Sequence, residues 1–375
     1  MSPPVAVESA PVMDGIPSIE QYAAKQSTTF TKFDPKRHLA YTPPLKILKM
    51  GDLALPPTAL SSVASTEPFP LLSYEALLEH RREIFQPEVL DNCLHHTRPG
   101  SVQIRGHAPR YAPFIHAFWN SPEVLKIISD NAGIELVPCM DYETCHVNVQ
   151  LGPGGVEAAR ATPLEPPAAT EEAIAQFEEE KPKERAVTDQ TKPVVEWHRD
   201  SHPFVCVVML SDARHMIGGE TELRCGDERT LKVKAPQMGA ACILQGRYIE
   251  HTAAPVDNMP ERITIVTSFR PKDPTLLDET TNMNIRNKSH LTELYYQWTT
   301  YRLDVLAARA QIAADELRKR YEENVKNTDN GKKGLCRVET VNVAEVEKWA
   351  NEQIEYIQKT MYEMRPLEVR GNRVW

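Results

Sequence analysis

The sequence predicts an α+β protein in which an antiparallel β-sandwich or jelly roll is flanked by helices. Residues 194–270 hold short apolar or alternating runs that are separated by Gly- and Pro-containing turns, with no helical segment between them. Helical periodicity appears before this block, within 73–131, and after it, from residue 291 onward. Short turns connect antiparallel strands, whereas parallel strands need longer crossovers, so the strand-rich block predicts a sandwich or jelly roll.

Three regions are predicted along the 375 residues. Residues 1–72 are rich in proline and predict an extended arm that wraps a core, because proline disfavours helix interiors and central strands. Residues 73–275 form the predicted core with a helical lead-in, and a segment near 153–192, rich in Ala, Pro and Glu, predicts a surface insertion with a short acidic helix at 170–180. Residues 276–375 form a predicted C-terminal helical region.

The individual elements follow from capping residues and periodicity. A helix is predicted over 73–85 with Ser73 as its N-cap, a strand over 101–105, and a second helix over 121–131 that begins with Ser121. The core strands are predicted from alternation or continuous apolar runs over 145–151, 204–210, 221–224, 239–244 and 262–270, with a further strand that ends at His251. Two helices are predicted over 291–327 and 343–364, joined by a turn at 328–331.

Composition excludes several classes of function. The formal net charge is −9 and the basic residues are scattered, which argues against a nucleic-acid partner. Neither a run of 18 apolar residues nor a basic and apolar leader is seen, so we expect no membrane partner and a cytoplasmic location. The seven cysteines contain no C-x-x-C pair and predict no disulfide framework. We expect a small-molecule substrate, and the long C-terminal helices permit a homodimer without requiring one.

The residues with the clearest chemistry are His198, Asp200 and His251. His198 and Asp200 are two positions apart at a predicted strand end, so their side chains lie on the same face, and His251 follows Asp200 by 51 positions. Two imidazoles and one carboxylate in an H-x-D…H pattern are the ligands of a site that binds one face of Fe(II) and leaves other positions open. His202, four residues after His198, is a rival ligand, although its position before Pro203 favours a role beside the metal ligands or in solvent.

A second feature follows His251 by 11 residues. Arg262 and Thr264 share a strand face with Val266 and Ser268, while Ile263, Ile265 and Phe269 take the opposite face. An inward guanidinium binds both oxygens of a carboxylate, and the neighbouring hydroxyl of Thr264 adds a hydrogen bond. An inward Arg without a partner would destabilise the fold, so the pattern predicts a slot for a carboxylate ligand.

With these residues, the sequence resembles the Fe(II)/2-oxoglutarate-dependent dioxygenase superfamily over roughly residues 195–270. The resemblance implies a double-stranded β-helix, iron bound by His198, Asp200 and His251, and the far carboxylate of 2-oxoglutarate bound by Arg262 and Thr264. Many members have Ser where this chain has Thr264, and the hydroxyl is kept. The expected cofactors are Fe(II), 2-oxoglutarate and O2, and the expected reaction is oxidation of a substrate C–H bond with release of succinate and CO2.

The resemblance extends to fungal enzymes of secondary metabolism, including the TqaL type that closes an aziridine ring on a valine-like amino acid. An amino acid such as valine is therefore an expected substrate, with hydroxylation, desaturation or ring closure as outcome. One alternative is an iron oxidase that works without 2-oxoglutarate. Another is a cupin-like protein that binds a metal without catalysis.

Further polar residues are candidates for the pocket around this site. Asn148 and Gln150 share one strand face, with Asn148 expected to bind 2-oxoglutarate and Gln150 the substrate, or both expected only to satisfy the barrel interior. Arg270, on the strand of Arg262, and Arg105 are expected to bind an anionic group of the substrate, with a salt bridge to an acidic neighbour as the alternative for each. Gln245 and Arg247, just before His251, are also near enough to line the pocket.

Overall fold

The computed structural model describes residues 31–98, 101–151, 155–162, 164, 195–214, 216–235, 237–256, 261–328 and 336–364. The predicted acidic helix at 170–180 and the predicted turn after Thr328 lie outside these residues. Eight α-helices are described, in the order α1 Pro35–His38, α2 Tyr74–Ile84, α3 Pro87–Cys93, α4 Pro113–Trp119, α5 Pro122–Ala132, α6 Gly155–Ala161, α7 Leu291–Thr328 and α8 Val343–Tyr362.

Fourteen strands are described in the same parts of the chain. In order they are β1 Ile47–Lys49, β2 Val63–Thr66, β3 Phe69–Pro70, β4 Leu94–Arg98, β5 Ser101–Ile104, β6 Leu136–Pro138, β7 His146–Leu151, β8 Val195–His198, β9 Phe204–Met209, β10 Thr221–Arg224, β11 Thr230–Val233, β12 Ala240–Leu244, β13 His251–Ala253 and β14 Glu261–Pro271. Their pairings are antiparallel.

The eight strands β7 to β14 divide between two sheets. The larger sheet contains the order β12-β9-β14-β7, and the smaller sheet has the order β11-β10-β13-β8. Successive strands cross from one sheet to the other, except that β10 and β11 form a hairpin within the smaller sheet. This alternation is a double-stranded β-helix, so the predicted jelly-roll core with flanking helices is confirmed.

Strand β14 is the central strand of the larger sheet and determines what faces the interior. It pairs with β9 on one side and β7 on the other, so that Thr264 lies opposite both Met209 and Asn148. Ile263, Ile265 and Phe269 are fully buried in the main apolar cluster. The other face of the strand, which begins with Arg262, points between the two sheets, as the alternation predicts.

The proline-rich arm supplies strands to the core sheet. Strands β1 and β2 extend the larger sheet beyond β12, and β3 also pairs with β12. Gln245 fastens this segment, because its Oε1 accepts from the Thr58 hydroxyl at 2.9 Å and its Nε2 donates to the Ser61 carbonyl at 3.0 Å. Gln245 therefore ties the arm to the barrel instead of lining the pocket.

The C-terminal helices pack beside the barrel through the first half of α7. Leu294 and Trp298 are fully buried there, in a cluster with Met140 and Tyr142 of the segment before β7. Tyr356 of α8 contributes to the same cluster. No helix among the described residues is long and apolar enough to cross a membrane.

Candidate active site

His198, Asp200 and His251 converge at the mouth of the barrel. Their potential ligand atoms all lie within 4.8 Å of one another. His198 is the last residue of β8 and pairs directly with His251 on β13, which places the two imidazoles side by side. The sequence placed a strand that ends at His251, and this position was wrong. A turn precedes His251, and β13 begins with it. The prediction that a distant strand brings the second histidine to the H-x-D pair agrees with this geometry.

Both imidazoles present the same nitrogen to the site. The Nδ1–H of His198 donates to the Glu196 carbonyl at 2.7 Å, and the Nδ1–H of His251 donates to the Ile249 carbonyl at 2.9 Å. A carbonyl can only accept, so each ring carries a proton on Nδ1, which leaves Nε2 as the nitrogen directed at the site. The two Nε2 atoms lie 3.4 Å and 3.5 Å from the oxygens of Asp200.

Asp200 is half-buried, and its carboxylate is incompletely bonded. Its Oδ2 has no hydrogen-bond partner among the described residues. Burial by itself would raise the pKa of Asp200, but the neighbouring His251 and His198 outweigh it and hold the pKa below its ordinary value. A carboxylate that stays ionised while one oxygen lacks a donor is suited to bind a cation.

The three residues therefore fit a divalent metal. Imidazole nitrogens and a carboxylate oxygen are the donor set preferred by Fe(II) in open facial sites. Burial lowers the pKa of the His251 imidazole, which favours the neutral form that a metal requires. His202 lies close by and is almost fully buried, but it is not in the group of potential ligand atoms. Of the two roles expected for His202, the position beside the metal ligands agrees with the structure, and the position in solvent does not.

Arg262 lines the same cavity as the triad and has no ionic partner among the described residues. Its side chain is buried, and one Nη donates to the Gly219 carbonyl at 3.1 Å, while its Nε has no partner there. Burial lowers the pKa of Arg262 to about 10, although Glu220 opposes this effect. A buried guanidinium with free N–H groups is costly unless an anion binds to it, so this position fits a carboxylate ligand.

Gly218 and Gly219 form the wall behind Arg262. Both have positive φ angles, 80° and 77°. A Cβ on Gly218 would come within 2.2 Å of the Pro255 carbonyl oxygen, and one on Gly219 within 2.6 Å of the Met216 Sδ and 3.4 Å of the Arg262 Nε. Only glycine gives this combination of left-handed backbone and close approach without strain.

One cavity of about 850 Å³, including its open mouth, connects these features. Among the predicted residues, Arg105, Asn148 and Thr264 line it together with Arg262 and the triad. Gln150 and Arg270 are not among the residues that line it. Gln150 bonds through both atoms of its amide to the main chain of Val256, at 2.9 Å and 3.1 Å.

The guanidinium of Arg270 also has other contacts. It lies 4.9 Å from the ring centre of Tyr301 in α7 and donates to the Pro271 carbonyl at 3.2 Å. These contacts hold α7 against the end of β14, so the structure places Gln150 and Arg270 outside the cavity in which they were predicted to bind substrate. Arg105 lines the cavity as predicted, and it also forms the salt bridge that was the alternative to substrate binding, with Glu143 as its partner.

A polar wall in the same cavity combines Arg105 and Asn148, which the sequence predicted there, with Gln103 and Glu143, which the sequence reasoning missed. Arg105 donates to the Glu143 carboxylate, and its Nε donates to the side-chain Oε1 of Gln103 at 3.1 Å. Gln103 in turn donates to Asn148 at 2.7 Å. This hydrogen-bonded row, which we call the polar wall, fixes the orientation of both amides because each is bonded at a known atom.

Three more ionisable side chains surround Glu143. Its Oε2 has no hydrogen-bond partner among the described residues, and it lies 3.5 Å from the Nδ1 of His146 and 3.9 Å from the Nδ1 of His202. Burial lowers the pKa of both imidazoles, so they are neutral near pH 7. Lys288, which follows Ile285 in the segment before α7, also lines the cavity.

The sequence held a weak signal for one of these residues. His146 is two positions before Asn148 on β7 and so shares its face. Glu143 and Lys288 come from a turn before β7 and from the segment before α7, where no periodicity indicates the direction of a side chain. Their position depends on how α7 packs on the barrel.

Comparison with known proteins gives matches to solved structures only. No protein-family model and no curated protein matches the chain. An oxidoreductase of the 2OG-Fe(II) oxygenase family from Burkholderia pseudomallei is 12% identical, with 52% of this chain and 78% of that one covered and a TM-score of 0.34.

Two further structures give similar scores. The non-haem α-ketoglutarate-dependent epimerase SnoN from nogalamycin biosynthesis is 12% identical over 52% of this chain and 71% of its own, with a TM-score of 0.34. AviO1 from Streptomyces viridochromogenes is 15% identical over 56% of this chain and 90% of its own, with a TM-score of 0.34. In each case the matched part is slightly more than half of this chain.

Proposed function

We propose that the protein is a non-haem Fe(II)/2-oxoglutarate-dependent oxygenase that oxidises a C–H bond of a small metabolite. The observation that carries this proposal is the pairing of a facial His-Asp-His set with the buried, ionically unpartnered Arg262 in one cavity. The triad would hold the iron through the two Nε2 atoms and a carboxylate oxygen. Arg262 and Thr264 would bind the far carboxylate of 2-oxoglutarate.

The electrons of the proposed reaction balance with iron, 2-oxoglutarate, O2 and the substrate as its components. Bound iron, 2-oxoglutarate and O2 supply the oxidation: decarboxylation to succinate and CO2 provides two electrons, and the substrate C–H bond provides the other two that reduce O2. The protein's part is to orient the dicarboxylate between Arg262 and the triad and to keep the reacting C–H bond on the opposite side. Hydroxylation, desaturation and ring closure of an amino acid such as valine are all compatible with this arrangement.

Arg262 distinguishes this function from the two alternatives. An iron oxidase without 2-oxoglutarate, or a metal-binding protein without catalysis, has no need of a buried guanidinium that lacks an acidic partner. The first test is an anaerobic titration of the protein with Fe(II) and then 2-oxoglutarate, with visible absorption as the readout. A keto acid chelated to ferrous iron gives a weak visible charge-transfer band, and we expect this band to appear.

The matched variants are Arg262→Met and Arg270→Met, which lie on the same strand, inside and outside the cavity respectively. We expect Arg262→Met to weaken 2-oxoglutarate binding about 10- to 100-fold, because a charge-assisted bidentate bond is lost. Arg270→Met should leave the binding constant unchanged. Equal affinities in both variants, or no charge-transfer band in the wild type, would refute the 2-oxoglutarate assignment.

A further inference from the structure

The two C-terminal helices carry much of the large apolar surface that is exposed to solvent. Helices α7 and α8 pack antiparallel, since Arg302 of α7 donates to Thr360, near the end of α8, and Arg320 donates to Glu345, near its start. Eight of the fifteen exposed large hydrophobic residues in the described part of the chain belong to these helices. They are Tyr296, Leu303, Tyr321, Val343, Val346, Ile354, Ile357 and Met361.

On α7 the exposed apolar residues belong to a stripe that repeats every seven positions. Its members follow one another in steps of four and three, and none of them is charged. They are Tyr296, Thr300, Leu303, Ala307, Ala310, Ala314, Leu317 and Tyr321. Helix α7 packs on the rest of the molecule through Trp298 and Val305, which lie on the opposite side of the helix. The stripe therefore faces away from the barrel.

Helix α8 has a similar uncharged stripe on the same side of the helix pair. Its members are Val343, Val346, Ala350, Ile354, Ile357 and Met361. Tyr356 packs toward α7, and Glu352 and Lys359 line a groove beside residues 275–278, which follow β14. By the period of 3.6 residues, the stripe lies opposite to that groove. The two stripes thus form one apolar surface, which we call the hairpin face.

The hairpin face has the size and composition of the core of a protein interface. At 1.5 Å per residue, the stripe is about 37 Å long on α7 and about 27 Å long on α8. With helices about 10 Å apart, its outline is about 600 Å², close to the roughly 800 Å² that each partner buries in a standard interface. Depletion of charged residues is also typical of interface cores.

We propose that the hairpin face binds the same face of a second copy of this chain, so that the two helix pairs form an antiparallel four-helix bundle. The two-fold axis would lie between the two faces and perpendicular to the helices. It would pair α7 with α7 of the partner subunit, and α8 with α8. This inference is independent of the proposed oxygenase function.

One register brings small side chains opposite large ones along α7. With the axis at the level of residue 312, Ala310 lies opposite Ala314 of the partner subunit at the centre. Ala307 lies opposite Leu317 of the partner subunit on either side. The alanines allow the two helices to approach closely, and the leucines fill the space beside them.

The same axis suits α8. A centre at residue 352 places Ala350 opposite Ile354 of the partner subunit, and the remaining members of the stripe follow in pairs. The contacts between the helices fix where this centre lies relative to α7. Arg309 donates to Gln353 and Arg320 to Glu345, which places residue 352 level with residues 310 to 313 of α7. That range contains residue 312, so one axis serves both helices.

The residues at the outer edges of the hairpin face complement each other in this register. Asp304 lies opposite Arg318 of the partner subunit, and the pair occurs twice. Arg318 also donates to Asp315 of its own helix at 2.6 Å and has further N–H groups to donate. On α8, Glu347 lies opposite Gln358 of the partner subunit. A lipid surface offers no such match, and the net charge of −9 opposes binding to anionic lipid.

Sedimentation equilibrium of the full chain tests the proposal, and we expect a dimer in the micromolar range. Leu303→Glu and Ile354→Glu each place a charge in one stripe and should weaken self-association about 100-fold or more, because the carboxylate would be buried against apolar side chains. Leu45→Glu, at a highly exposed leucine outside the hairpin face, is the matched control and should leave self-association unchanged. Wild-type circular dichroism in each variant shows that the fold is intact.

Exchange of the charged pair tests the register. Asp304→Arg and Arg318→Asp each place like charges opposite one another twice in the dimer, and each should weaken self-association about tenfold. The double variant restores opposite charges and should recover an affinity close to that of the wild type. Recovery requires that the two residues meet across the interface between two copies of this chain.

Three results would overturn the proposal. The first is a monomer throughout the micromolar range, and the second is a dimer that neither glutamate variant weakens. The third is binding of a monomeric protein to phosphatidylcholine vesicles that Leu303→Glu abolishes, which would make the hairpin face a membrane-binding surface. A double variant that stays as weak as the single ones would refute the antiparallel register.

Discussion

Gly246 lies directly behind the carboxylate of Asp200. The Asp200 N–H donates to the Gly246 carbonyl at 2.9 Å, and a Cβ at position 246 would lie 1.8 Å from the Asp200 Oδ2 and 2.7 Å from its Cγ. We therefore expect Gly246→Ala to rotate this ligand out of place. Metal affinity should fall about 10- to 100-fold, the usual cost of disturbing the groups behind a ligand. Titration with Fe(II) or Zn(II) measures this.

Gly51→Ala is the matched control, because a Cβ there would meet nothing within 4 Å. Its metal affinity should equal that of the wild type, and both variants should keep wild-type circular dichroism. Full metal affinity in Gly246→Ala would show that Asp200 has room to move and that the glycine is not needed.

At the level of single residues, the sequence predicted chemistry better than it predicted hydrogen-bond partners. The spacing of His198, Asp200 and Arg262 was sufficient to predict the direction of their side chains, because two-residue periodicity fixes which face of a strand a side chain takes. Gln150 has the correct face too, but its amide bonds to Val256, a residue far along the chain. No local pattern reveals a partner that the tertiary fold supplies.

Helices α2 and α4 are joined by a buried carboxylate. Glu83 of α2 accepts hydrogen bonds from the N–H groups of Phe114 and Ile115, both at 3.0 Å, in the first turn of α4. Burial raises the pKa of Glu83 to about 7, although these two bonds oppose the shift. Since the unfolded chain has the ordinary, lower pKa, the folded state binds an extra proton between about pH 4.5 and pH 7.

The sign of the effect on stability follows from this difference. Glu83 contributes about 3 kcal/mol to the unfolding free energy. This contribution is fully present below about pH 4.5 and is lost as the pH rises to about 7. Gln does not titrate, so the unfolding free energy of wild type minus that of Glu83→Gln should fall by about that amount between pH 5 and pH 8. Urea unfolding at several pH values measures it.

The unfolding free energies of the wild type and of Glu83→Gln have to be compared as a difference, because other buried groups titrate as well. Burial lowers the pKa of His80 to about 4 and that of His107 to about 3, and these changes act in the opposite direction in both chains. Glu75→Gln, at an exposed position on the same helix, should show no such pH-dependent difference. A constant difference for Glu83→Gln would contradict the raised pKa.

The sequence predicted the starts of helices well where a capping residue marks them. Ser73 and Ser121 are N-caps whose hydroxyls accept from Ala76 and Val124, and the helices begin where these caps predict. Strands β1 to β3 of the proline-rich arm are short; β1 pairs with β2, whereas β2 and β3 pair with β12, at least 170 positions away. Such pairing depends on the closed barrel and cannot be derived from a short window of sequence.

For the molecule as a whole, the unpartnered polar atoms of the cavity are a cost to the folded state. Asp200 Oδ2, Glu143 Oε2 and Arg262 Nε are buried without partners among the described residues. The proposed metal and 2-oxoglutarate would bind the folded state, so each should stabilise it by about 2.7 kcal/mol at a hundredfold excess over its dissociation constant. Scanning calorimetry should show two successive increases in Tm.

Arg262→Met separates the two increments. This variant should keep the increase caused by the metal and lose the increase caused by 2-oxoglutarate. An unchanged Tm of the wild type on addition of saturating metal would mean that the cavity does not bind it. A monocarboxylate such as acetate at equal ionic strength controls for the general effect of carboxylates on stability.

The bonds from His198 to the Glu196 carbonyl and from His251 to the Ile249 carbonyl have an evolutionary consequence. Each ring is oriented by the main chain two residues earlier, so no neighbouring side chain has to be retained for that purpose. Mutations in the surrounding segments can then change what the cavity accepts while the geometry of the two imidazoles persists. A barrel built in this way can acquire new substrates without rebuilding its metal site.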